Sequence, residues 1–166
     1  YKSSSLSGKQ CGQNVILKAM IGKKKGKKHI ISTAFEHHAV LHPIQALEAQ
    51  GFEITYLQPQ PDGTVSPQEL LSALRKDTIL VSIMMVNNEV GSVMPISQMA
   101  KLTHRLCPDA IFHTDAVQGF LKVPFQAKTL GADLISVSSH KIHGPKGAGA
   151  LYISPRLRSF PALLLG

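Results

Sequence analysis

Ser138-Ser139-His140-Lys141-Ile142-His143-Gly144-Pro145-Lys146-Gly147 sets a lysine behind the apolar-then-small run 134–139 and ahead of a turn forced by Gly144, Pro145 and Gly147. The run reads as a buried strand. A lysine at such a strand end is expected to be poorly solvated. Low dielectric disfavours its ammonium form and lowers its pKa, which is what an amine needs in order to attack an aldehyde. A lone lysine after a strand is usually an ordinary surface residue, but Lys141 does not stand alone.

Three more apolar runs end in polar residues of chemically useful kinds. The run 29–35 leads into Glu36-His37-His38, the run 78–86 into Asn87-Asn88-Glu89, and the run 110–114 into Asp115-Ala116-Val117-Gln118. Near-continuous apolar runs of this length suit strands buried on both faces. Helical patterns separate most of them. Val40, Ile44 and Leu47 share one face, with Gly51 as a stop signal. Ser66-Pro67-Gln68-Glu69 reads as a capping box with proline at the first helical position, continued by Leu70, Leu71 and Leu74. Ile96, Met99, Ala100, Thr103 and Leu106 form a third stripe entered at Pro95. Strands alternating with helices predict parallel βαβ units with right-handed crossovers. Ligands of such sheets sit beyond the carboxyl ends of the strands. His37, Asn88, Asp115, Gln118 and Lys141 are therefore expected at one edge of one sheet.

These residue types suit pyridoxal 5'-phosphate. Lys141 is placed for a Schiff base with its aldehyde, and Asp115 can pair with a protonated pyridine nitrogen and keep the ring an electron sink. His37 can stack on the ring, Asn88 and Gln118 can hold its phenolic oxygen, and Ser138 and His140 can bond its phosphate. Any one of them, taken alone, reads as ordinary strand-end capping. Their recurrence at successive strand ends favours a site.

The motifs Glu36-His37-His38-Ala39-Val40, Asn87-Asn88-Glu89-Val90-Gly91, His113-Thr114-Asp115-Ala116-Val117-Gln118 and Ser138 through Gly147 resemble those of cysteine desulfurases of the NifS/IscS type. These belong to the class V aminotransferase group of fold-type I enzymes. The likeness runs almost unbroken from about Lys27 to Gly166 and is weaker before it. It implies removal of sulfur from L-cysteine to give L-alanine and an enzyme persulfide, with Lys141 bearing the cofactor and His37 moving protons. It also implies sulfur transfer to acceptor or iron–sulfur scaffold proteins, a role in iron–sulfur cluster assembly, and a homodimeric full-length form.

The same likeness implies a phosphate-binding loop near Ser7-Gly8-Lys9-Gln10, with Gln10 as a cofactor contact in place of the family's threonine. It implies a second, smaller domain beyond Gly166 carrying the persulfide-forming cysteine, so that the chain is expected to be a partial one. Residues 1–28 form a poorly matching segment with a Lys-rich connector, and 29–166 the well-matching core of a large domain. The fold expected is α/β, a mostly parallel sheet flanked by helices, with Gly149–Ile153 as an antiparallel closing strand and the small domain absent. The alternatives are an inactive truncated homologue that folds or binds a partner without turnover, and a relative acting on selenocysteine.

Composition is consistent with a single packed domain: 43% of the 166 residues are hydrophobic. No run is long and apolar enough to span a membrane, and the polar first residues do not read as a signal peptide. The two cysteines, with the thiol chemistry the likeness implies, suggest a reducing cytoplasm. Cys11 and Cys107 read as incidental thiols. The net charge of +8 is concentrated in Lys23-Lys24-Lys25-Gly26-Lys27-Lys28, a run without aromatics that reads as a solvated connector rather than a nucleic-acid site. His38 and His42 have helical i, i+4 spacing but no glutamate between them, so no metal site is expected.

Overall fold

The computed structural model describes residues 29–145 and 147–157. The expectations for Gln10, Cys11 and the lysine run 23–28 fall outside them. The elements are β1 (His29–Thr33), α1 (His38–Glu48), β2 (Glu53–Leu57), α2 (Pro67–Ala73), β3 (Thr78–Ser82), α3 (Ile96–Leu106), β4 (Ile111–Asp115), α4 (Ala127–Leu130), β5 (Leu134–Ser138) and β6 (Gly149–Ile153). They build one sheet in the order β2-β1-β3-β4-β5-β6. Strands β1 to β5 run parallel, and β6 closes the sheet antiparallel to β5, as expected.

Alternate strand residues serve two cores, which is why the runs look continuously apolar. Ile30, Leu80, Ile111 and Leu134 pack on one face with Val40, Ile44 and Leu47 of α1. Ile31, Val81, Phe112 and Ile135 pack on the other with Leu70 of α2 and Met99 and Ala100 of α3. The chain leaves β1 toward β2 on one side and the later strands build out on the other. The order therefore reverses at the β1/β3 boundary, the position where open α/β sheets leave a crevice.

Several local expectations change on contact with the structure. Strand β2 was not foreseen: its residues are exposed or half-buried except Leu57, as suits an edge. The run 78–86 is regular strand only to Ser82, yet its ladder continues, with Ile83 N–H donating to His113 O at 3.1 Å and Met85 N–H to Asp115 O at 2.8 Å. The capping box at Ser66 is half made. Ser66 Oγ accepts from Gln68 N–H at 3.1 Å, while Glu69 turns to accept from Gln58 N–H at 2.8 Å. Leu71 and Leu106, expected on helix stripes, are exposed.

Two histidines lie inside the sheet and tie strands together. His29 bridges Thr78 and Thr55 at 2.8 Å each. His113 bridges Ser82 at 2.8 Å and Ser136 at 2.9 Å, and burial pushes its pKa down to about 4.

Just ahead of β5, Asp133 anchors the amino-terminal edge of the sheet. Its carboxylate accepts from Arg156 Nε at 2.6 Å and Nη2 at 2.8 Å, from Phe112 N–H at 2.8 Å, and meets His104 Nε2 at 2.9 Å. Arg156 also donates to Pro108 O and Ala110 O, so one side chain ties the α3–β4 loop to the start of β5. Burial works against ionisation here, but the hydrogen bonds from Arg156 and His104 outweigh it and hold the Asp133 pKa down at about 2.

A carboxylate held below its unfolded value stabilises the fold above that value and loses the contribution as pH falls through about 2. Asp133→Ala is expected to cost about 1–3 kcal/mol in urea denaturation at neutral pH, because the Phe112 amide, His104 and the part-exposed Arg156 lose their shared acceptor. The deficit against wild type should shrink below pH ~4; a deficit independent of pH would contradict the assignment.

Candidate active site

One cleft opens at the carboxyl edge of β1, β3, β4 and β5. It encloses about 710 Å³, its open mouth included, and is lined by His37, Ala39, Met84, Val86, Asn88, Asp115, Val117, Gln118, His140 and Lys141. Six of the sequence-derived residues thus meet in one place although more than a hundred positions separate the first from the last. Ser138 lies one layer behind, buried, with its Oγ 2.7 Å from His140 Nδ1. Gln10 is outside the described residues.

His37 is the N-cap of α1. Its Nδ1 accepts from Ala39 N–H at 3.2 Å, which leaves Nε2 as the nitrogen free to exchange a proton. Asp115 ends β4. Its Oδ1 accepts from Val117 N–H at 2.9 Å, and Oδ2 has no hydrogen bond among the described residues. Burial raises the Asp115 pKa, against the pull of the Val117 amide and of His37 and His140. A cation opposite Oδ2 would relieve that penalty.

Lys141 stands in a single 3-10 turn, Ser139–Lys141, directly after β5. The expectation that it would be buried and desolvated is not met: the residue is exposed at the cleft wall. The turn itself is tightly built. Ser139 Oγ donates to Ala148 O at 3.0 Å and also contacts Pro145 O, and Gly144 N–H donates to Ser139 O at 2.9 Å. A Cβ on Gly144 would come within 2.7 Å of Ser139 Cβ, so only glycine fits.

Asn88 is exposed in the cleft, whereas its neighbour Asn87, not singled out by sequence, organises the loop. Asn87 Oδ1 accepts from Glu89 N–H at 2.9 Å and Val90 N–H at 3.0 Å, and Nδ2 donates to Phe35 O at 3.3 Å. The last bond joins the β1 turn to the β3 loop across the β1/β3 boundary. An asparagine followed by residues whose amides fold back on it is a readable Asx signal; doubled asparagines hide which one plays that part. Among the described residues, Cys107 is the one cysteine, buried at the end of α3 away from the cleft, where its Sγ donates to Arg75 O at 3.1 Å.

The donor set fits a flat heteroaromatic aldehyde phosphate. A primary amine, a part-buried carboxylate with one oxygen unused, an imidazole wall and two amides are present at a crevice of suitable size. Among the described residues, no cluster of three or more His, Cys, Asp or Glu could hold a metal ion, and no helix is long and apolar enough to cross a membrane.

Comparison with known proteins gives the family. Residues 6–166 match the family model described as Aminotransferase class-V. The chain is 51% identical over 136 residues to the cysteine desulfurase IscS of Dictyoglomus turgidum, covering 82% of this chain and 34% of that protein. Among solved structures it is similar to a NifS-like protein (TM-score 0.86, 36% identity, 91% of this chain and 42% of the other). It is also similar to SspA in complex with cysteine (TM-score 0.84, 37% identity, 91% and 43%). The chain therefore spans well under half the length of these relatives.

Asn87→Ala should lower stability by about 1–3 kcal/mol, since two amides and a half-buried carbonyl lose their partner. Asn88→Ala, exposed, should stay within about 0.5 kcal/mol of wild type. Thermal denaturation of the two variants checks this, and equal losses would contradict the division of labour.

Proposed function

The chain belongs to the Aminotransferase class-V family, and on that premise we propose that its cleft holds pyridoxal 5'-phosphate for a cysteine desulfurase reaction on L-cysteine. The single observation that carries the reading is the meeting of Lys141, Asp115 and His37 in one cleft from three separate strand ends. Bound there, the cofactor supplies an aldehyde carbon that condenses with an amine and an electron-poor ring that stabilises negative charge at an amino acid's α-carbon.

The chain's own residues divide the remaining work. Lys141 Nζ is the amine available to the aldehyde. Its exposure at the cleft wall would leave that amine within reach of an incoming amino acid. Asp115 Oδ2 would accept a hydrogen bond from the protonated ring nitrogen, and its negative charge would keep that proton on the nitrogen. His37 covers the ring face and exchanges protons at Nε2, its other nitrogen being engaged by the helix. Asn88 and Gln118 hold the phenolic oxygen. His140, backed by Ser138, would contact the phosphate, and Gln10, outside the described residues, is proposed as a further cofactor contact.

In the proposal the well-matching core 29–166 is the cofactor-binding large domain of a cytoplasmic, homodimeric enzyme, and residues 1–28 its entry segment. A thiolate other than that of buried Cys107 would attack the cysteine sulfur, the Cβ–S bond breaking as the S–S bond forms and its electron pair staying on the carbon that becomes the methyl of alanine. The outer persulfide sulfur would then pass to an acceptor or iron–sulfur scaffold protein. The solved relative bound to cysteine supports the substrate class.

Mixing the protein with pyridoxal 5'-phosphate should produce a visible absorbance band that L-cysteine perturbs. Lys141→Ala should abolish the band, and Asp115→Asn should weaken cofactor affinity about tenfold or more through loss of the charge-assisted contact. A band that persists in Lys141→Ala, or none in wild type, would overturn the reading.

A further inference from the structure

We propose that Glu36 is a positioning residue of this cleft, a neutral carboxylic acid that clasps the turn carrying His37 to the strand end carrying Met84. The reading of the cleft as a cofactor site is needed only for the ligand-binding arm of the test below.

Glu36 sits between β1 and α1 with 4% of its surface exposed. Its Oε1 accepts twice, from Thr33 Oγ1 at 2.9 Å and from Met84 N–H at 2.7 Å. Its Oε2 is buried and has no partner among the described residues. That asymmetry distinguishes the two protonation states. A carboxylate would leave a charged oxygen bare in a dry interior, which is far costlier than leaving a hydroxyl there. The neutral acid uses its carbonyl oxygen for both donors and places its O–H at Oε2.

The charged group facing Glu36 is Asp115 on β4, which in turn faces His37 and His140. A second negative charge beside Asp115 would be repelled. Burial first and Asp115 second push the Glu36 pKa up to about 8, against the Met84 and Thr33 hydrogen bonds. Met84 lines the cleft and His37 follows Glu36 directly, so the clasp sets the width of the cleft on the β1/β3 side.

The test uses wild type, Glu36→Gln and Glu36→Ala. Without cofactor, thermal melting is followed from pH 5 to 8. A folded state that keeps a proton which the unfolded chain releases near 4.5 loses stability as pH rises toward about 8. The wild-type midpoint should therefore fall relative to that of Glu36→Gln across this range. With pyridoxal 5'-phosphate, Glu36→Ala should weaken affinity about tenfold through loss of two hydrogen bonds, and Glu36→Gln should recover it to within about threefold.

Parallel melting curves for wild type and Glu36→Gln would show an ionised Glu36 and overturn the proposal. So would Glu36→Gln binding the cofactor as poorly as Glu36→Ala, or Glu36→Ala binding it as well as wild type. Absence of any band in wild type would count against the cofactor reading alone, because the melting comparison decides the state of Glu36 independently.

Discussion

Burial on both faces is the constraint from which the molecule follows. A strand covered on each side by helices has no wall on which to display a charged group without a large desolvation penalty. Parallel direction then makes the carboxyl ends of β1, β3, β4 and β5 share one edge. Polar chemistry is pushed off the strands and gathered at that edge. His37, Asn88, Asp115 and Lys141 all lie on a strand's last residue or in the segment that follows it, and none in a strand's middle.

The polar groups that do remain inside are each tied down. His113 is held neutral between two serines, two residues before Asp115 on the same strand. Asp133 and Arg156 fasten the opposite edge of the sheet. The two edges use charge differently. At the amino-terminal edge the charges are matched and serve stability. At the carboxyl edge Asp115 keeps an oxygen unmatched and Glu36 keeps a buried one idle, a poor arrangement for stability and a suitable one for receiving a ligand.

Much of this was legible in the chain. The apolar runs announced β1, β3, β4 and β5, and the residues just past them announced the cleft. What escaped were features that depend on partners distant in sequence. β2 is an edge strand with little buried surface, so its apolar signal is weak. Which of Asn87 and Asn88 points inward depends on where Phe35 O lies, more than fifty positions earlier. Glu36 looked like a polar residue beside a histidine, and only the approach of the Met84 amide gives it a task. The burial expected of Lys141 failed for a related reason. The strand before it is buried, but the 3-10 turn swings the lysine past the end of the sheet.

The N-cap at His37 couples two properties that are usually independent. Its Nδ1 is committed to Ala39 N–H, so a rotation of the imidazole opens the first turn of α1 and forfeits about 1 kcal/mol of helix stability. The ring is a fixed plate bolted to a helix rather than a swinging arm. A ligand entering the cleft therefore meets an imidazole whose orientation the first turn of α1 helps to set.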